Sequence, residues 1–307
     1  MRMVSGDESC RWVEQSRTLL MTMRPLLTAV LLCSLFCLSF AESALYEAVD
    51  LTPNNAFTEG IEGPVVDLDG ALYAVNFKEE GTIGRVNDNG QAELFVRLPQ
   101  GSVGNGIRFR PDGTMIVADY KGHNLLAVDM RSKAVSVWVH EPRMNQPNDL
   151  TIAKDGVVFA SDPNWMNSTG NLWKVSQDGK VELVENGMGT TNGIEVSPDS
   201  DFLYVNESVQ RKIWRYELGI DKDPKYKKLI AEFADHGLDG MRCDSAGNLY
   251  VARYGKGTIV KLDPNGKLLR EIPLKGKRPT NLTFSKDGKT VYVTMQDRGS
   301  IEMFKVE

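Results

Sequence analysis

Six segments of the 307-residue chain open on a side chain that can offer an oxygen and then run into an apolar stretch. They start at Glu62, Asn105, Asn148, Asn192, Asp239 and Thr280, at intervals of 43, 43, 44, 47 and 41 residues. Two carboxylates and several amides gathered in one place make an electrostatic problem. Like charges at short range either raise a pKa or require a counter-ion. Carboxylate and amide oxygens are hard donors of the kind that Ca2+ accepts, with Mg2+, Mn2+ or Zn2+ as alternatives. The chain has only three histidines, His123, His140 and His236, which argues against a dedicated zinc site. Taken singly, Asn148 and Asn192 read as turn residues before a strand. Glu62 does not, because Glu is a poor turn former and here precedes Gly-Pro. The recurrence of all six at one repeat position is what points to a site.

The elements that must position them follow from the same repeat. After each start comes a turn such as Asp69-Gly, Asp112-Gly or Asp287-Gly, then a second strand such as Ala71–Val75 or Val157–Ser161. Third strands follow at Thr82, Asn124, Asn171, Lys212, Thr258 and Ser300, and fourth strands near Ala92, Ala134, Val181, Lys228 and Leu268. The run Lys222–Lys228 reads as a solvated hairpin tip. Short strands punctuated by turns, with no trustworthy helical period, mark an all-β chain. Six four-stranded repeats of this length predict a six-bladed β-propeller of four-stranded antiparallel blades. The sixth repeat runs out after its third strand, so the strand at Ala44–Leu51 is expected to supply the fourth and close the ring. In a propeller the first strands line the central channel, and the six starts then meet at one mouth.

Residues 44–307 are expected to form this single domain. Ahead of it, the apolar run Leu26–Phe40 ends in Ser39-Phe-Ala41 and is too short to span a bilayer. Residues 21–41 therefore read as a signal peptide and 1–20 as a possible over-extended start, with the mature protein periplasmic or secreted. Cys10, Cys33 and Cys37 fall in that leader, which leaves only Cys243 and no intramolecular disulfide. A net charge of −5 and the lack of a basic cluster argue against a nucleic-acid partner. No membrane association is expected after cleavage, and the expected state is a monomer or weak dimer.

The motifs Glu62-Gly-Pro, Gln146-Pro-Asn-Asp-Leu150, Phe159-Ala-Ser-Asp-Pro163, Thr191-Asn-Gly-Ile194 and Leu238-Asp-Gly-Met241 occur in this order over the mature chain. Together they resemble the gluconolactonase and regucalcin (senescence marker protein) family of six-bladed propellers. That resemblance implies one metal ion, usually calcium, on a Glu, two Asn and an Asp, which match Glu62, Asn148, Asn192 and Asp239. It implies hydrolysis of a sugar lactone or related ester, with the metal polarising the carbonyl for attack by water. Asp239 is the implied base and Glu62 the runner-up. Asn105, Asp149, Thr280 and Gln146 are expected to contact substrate, Asp149 also as a support behind the metal. Two departures stand out. Gln146 replaces a substrate-facing Arg of regucalcin, which weakens the case for a sugar lactone. Arg242 stands where more distant propeller phosphotriesterases hold a second buried calcium, so no second site is expected. The rival readings are a paraoxonase-like arylesterase or phosphotriesterase, and a ligand-binding propeller without catalysis. Tyr120, Met144, Trp165 and Met166 are candidates for an apolar wall, Asp162 for shaping the pocket, and His236 for a surface position.

Overall fold

Alternating apolar strands linked by tight turns leave each repeat with two apolar faces and no core of its own. The structure, a computed structural model, describes residues 44–307 and solves this by stacking the repeats face to face in a ring. Six four-stranded antiparallel sheets result, five of them in chain order from the inside outward and the last with the N-terminal strand Val49–Asp50 at its outer edge. The innermost strands are Glu62–Val66, Gly104–Phe109, Leu150–Ile152, Thr191–Val196, Met241–Cys243 and Pro279–Phe284. The predicted six-bladed propeller is the observed fold. The expected leader, residues 21–41, and the expected extra start, residues 1–20, lie outside the described residues.

The core is distributed between blades. Tyr73, Val75 and Ile83 of the first blade pack on Ile107, Met115 and Val117 of the second. The closing seam places Ile301 of the last blade against Phe57, Ile61, Leu72 and Ala74 of the first. Outside it, Arg298 Nη1 reaches Asp50 Oδ1 and Glu302 Oε1, each at 2.6 Å. Burying one Ile is worth about 1.5–3 kcal/mol, whereas a partly exposed ion pair gives roughly 0–1 kcal/mol. The apolar seam therefore dominates ring closure.

The closing strand is shorter than expected. Only Val49–Asp50 pairs, with Met303 and Glu302 respectively, and Leu45 adds an isolated bridge to Lys305. Tyr46 explains the break, since its φ of 63° is a left-handed turn that no strand can hold. The run Lys222–Lys228 also departs from expectation, because Pro224–Glu232 is the outer strand of the fourth blade. Its lysines and leading proline suit an exposed sheet edge, where they discourage pairing with another chain.

Candidate active site

A side chain at the start of an inner strand points into the channel only if the ladder lets it. In four blades the pairing of inner and second strands is broken at that point, between Glu62 and Val65, Gly104 and Ile107, Thr191 and Ile194, and Pro279 and Asn281. Such bulges re-aim side chains without ending the strand. In the other two blades the strand begins just after the position, at Leu150 and Met241. All six predicted positions, Glu62, Asn105, Asn148, Asn192, Asp239 and Thr280, consequently line one cavity of about 380 Å³.

The next position in each repeat sets how closely the strands approach. Four are glycine: Gly63, Gly106, Gly193 and Gly240; the other two are Asp149 and Asn281. At Gly63 the backbone is left-handed, with φ of 56°, and a Cβ would lie 2.0 Å from the Asn105 carbonyl oxygen. At Gly240 a Cβ would lie 2.0 Å from Asn281 Cγ. The glycines thus make room for two buried polar side chains beneath the mouth. Gly240→Ala is expected to cost about 1–3 kcal/mol through overpacking, read as a lowered Tm in thermal unfolding.

Glu62 is buried, and its Oε2 accepts from the Gly63 N–H and from Asn281 Nδ2, the latter at 3.0 Å. Burial and the negative charge of Asp149 push its carboxyl up to about 7. Asp239 keeps a small opening to the cavity, which it lines beside Asn192. Enclosure in the channel and the charge of Glu62 push it well above the usual carboxylate range. Asn148 and Asn192 are 6% and 2% exposed, and the side-chain oxygen of each is buried without a partner. An orphaned buried amide oxygen carries a desolvation cost of about 1–3 kcal/mol.

Lower in the channel the charges cancel. Asp149 Oδ2 lies 3.1 Å from Arg242 Nη1, and Asp149 Oδ1 lies 3.3 Å from Arg108 Nη1. Arg108 also reaches Glu195 at 3.4 Å. Burial alone would raise the Asp149 carboxyl, but the two guanidiniums outweigh it and hold it below the usual carboxylate range. Glu62 and Asp239 have no ion-pair partner among the described residues. Two uncompensated carboxylates and two orphaned amide oxygens at one mouth form a donor set that fits a single hard divalent cation. No three Cys, His, Asp or Glu side chains of the described residues form a metal cluster without these amides.

The remaining candidates divide. Asn105 lines the cavity while its amide donates to the Asn148 carbonyl at 3.1 Å. Thr280 also lines it, but its hydroxyl is held by the Ile61 carbonyl at 2.9 Å. Asp149 has no exposed surface, so the expectation that it contacts substrate is corrected; it sits beneath the mouth. Gln146 is likewise not among the lining residues. Tyr120 and Trp165 do wall the cavity, joined by Tyr254. Met144 instead packs in the core between blades, and Met166 is 94% exposed. His236 is exposed, as expected. Lys121 at the rim is paired with Glu80 at 2.9 Å.

Asp162 shapes the pocket indirectly. Its Oδ1 accepts the backbone N–H groups of Asn145 and Gln146, each at 2.7 Å, and its Oδ2 accepts Trp173 Nε1 at 2.9 Å. This fixes the loop that carries Asn148. Two residues that contact Asp149 beneath the mouth, Asn281 and Arg108, were missed by sequence reasoning. The signal for Asn281 was available, since it is one of two non-glycine residues at the second repeat position.

A gluconolactonase of Zymomonas mobilis is 32% identical over 216 residues, covering 62% of this chain and 60% of that protein. The match thus spans less than two thirds of that relative. A diisopropyl-fluorophosphatase of Loligo vulgaris is 26% identical, covering 80% of this chain and 88% of that protein. The solved structure of a gluconolactonase from Xanthomonas campestris superposes with a TM-score of 0.73 at 18% identity, over 84% of this chain and 89% of that one. The family model described as the SMP-30/gluconolactonase/LRE-like region matches residues 61–297, from just before Glu62 into the last blade beyond Thr280, and the chain belongs to that family.

Proposed function

We propose that the protein hydrolyses a lactone or a related small ester at the channel mouth, using one divalent cation, calcium first, held by Glu62, Asn148, Asn192 and Asp239. The observation that carries this is the pairing of two uncompensated carboxylates with two orphaned buried amide oxygens on the floor of one cavity. The gluconolactonase relative and the family support the choice of lactone. When bound, such a cation supplies charge stabilisation for the oxyanion that develops as the carbonyl is attacked.

The chain's own residues do the rest. Asp239 takes a proton from the attacking water as the new C–O bond forms. It returns that proton to the ring oxygen as the lactone C–O bond breaks, so the product is a hydroxy acid and water is the only co-reactant. Tyr120, Trp165 and Tyr254 hold the ring of the substrate and exclude water from its far side. The leader sequence further supports a proposal of export, which the N-terminus of the mature protein would check.

The test is a panel of lactones, aryl esters and paraoxon, run with added calcium, with chelator, and with calcium restored. Lactone turnover that disappears in chelator and returns with calcium is the expected result. Turnover of aryl esters or paraoxon alone would replace the reading by the paraoxonase-like one, for which the fluorophosphatase relative speaks. Full lactone turnover in chelator, with no metal bound, would sink the metal step.

A further inference from the structure

Both ends of the Asn281 side-chain amide are engaged. Its Oδ1 accepts the Leu282 N–H at 2.9 Å, which fixes which end of the amide faces inward. The two hydrogens of Nδ2 then go to two different acids, Glu62 Oε2 at 3.0 Å and Asp149 Oδ2 at 3.2 Å. Asn281 is fully buried and is not among the cavity-lining residues, so no substrate can touch it.

Asp149 is itself immobilised. Its Oδ1 accepts the Leu150 N–H at 2.9 Å and its Oδ2 faces Arg242 at 3.1 Å, with Arg108 on the other side. Asn281 is pressed into place by Gly240, where even a methyl group would collide with it. The bridge therefore runs from two guanidiniums through a locked carboxylate and a locked amide to Glu62. At Glu62 both donors, Gly63 N–H and Asn281 Nδ2, converge on Oε2. Oε1 has no donor among the described residues, and Glu62 lines the cavity.

We infer that Asn281 is a positioning residue that ties up one oxygen of Glu62 and presents the other, singly, to the cation site. A neutral amide suits this place because it donates to both acids and adds no charge between them. An aspartate there would set a third carboxylate beside Glu62 and Asp149, and a glycine would free Glu62 to rotate. The inference rests on the reading of Glu62 as a ligand.

Isothermal titration with Ca2+ alone tests it on the intact chain. Asn281→Leu, with no donor, should bind calcium about tenfold to a hundredfold more weakly than the unaltered chain. Asn281→Ser, which keeps one donor in a smaller side chain, should fall between them and covers the case in which the leucine variant does not fold. Leu282→Ala serves as the comparison for lost packing, since Leu282 is buried in the adjacent core. It should lower Tm with calcium affinity within about twofold. Unchanged affinity in both Asn281 variants, or an equal loss in Leu282→Ala, would overturn the positioning role. Absence of calcium binding in the unaltered chain would instead overturn the ligand reading, and this inference with it.

Discussion

Asp239→Asn is expected to lower kcat by about 10²- to 10⁴-fold, the usual worth of a positioned general base. Calcium affinity should fall much less, within roughly tenfold, because asparagine keeps one oxygen of the same reach. The choice of Asp239 over Glu62 as base rests on geometry. Glu62 is buried, with Oε2 occupied by two donors, whereas Asp239 keeps an opening to the cavity. The Asn206 amide holds the Asp239 carbonyl at 2.5 Å and the Asp239 N–H donates to the Ala252 carbonyl at 3.0 Å, so its backbone is fixed on both sides. Steady-state kinetics beside calcium titration of Asp239→Asn and Glu62→Gln separates the roles. Unchanged turnover in Asp239→Asn would remove it as base. Collapse in Glu62→Gln with calcium still bound would pass that role to Glu62.

The floor of the site was legible in the sequence because a repeat converts linear spacing into spatial coincidence. Residues about 43 apart share a structural position, so all six starts could be grouped without knowing any distance, and the family resemblance then singled out Glu62, Asn148, Asn192 and Asp239. What lies one level below the mouth was harder to read. There the informative residues are exceptions to a glycine pattern, and a glycine reads first as a turn. Only the close approach of Gly240 to Asn281 shows that the glycines are there to admit a side chain. The walls were less legible still. Met144 and Trp165 both lie in loops, and nothing local distinguishes the one that enters the core from the one that faces the cavity. Gln146 shows the same limit. It is two residues from Asn148 and its backbone N–H is held by Asp162, yet it is not among the residues that line the cavity. The closing strand was predicted at the right edge and too long, since a single left-handed residue, Tyr46, decides its length.

Calcium removal should make stability fall as pH rises, opposite to the usual behaviour of buried, paired carboxylates. Glu62 is pushed from an ordinary 4.5 to about 7, first by burial and then by Asp149, with Gly63, Asn281 and Arg242 opposing. Asp239 moves the same way, through burial and Glu62. A carboxyl raised in the folded state favours folding fully below its unfolded pKa. That contribution is lost as pH climbs toward the folded value, because the native chain must then hold charges that the unfolded chain gives to water. For Glu62 alone the loss between about pH 4.5 and 7 is on the order of 3 kcal/mol, or roughly 5–10 °C in Tm for a domain of this size. Asp239 adds to it. Bound calcium would offset both charges, so the loaded protein should keep a nearly constant Tm from pH 5 to 8. Calcium binding itself should tighten over the same window, because it displaces protons from its ligands. Scanning calorimetry at several pH values, with calcium and with chelator, reads the two curves directly. They should meet near pH 5 and separate toward pH 8. Curves that stay parallel, or a chelated protein whose Tm rises with pH, would show that Glu62 and Asp239 are not the carboxylates that the cation neutralises.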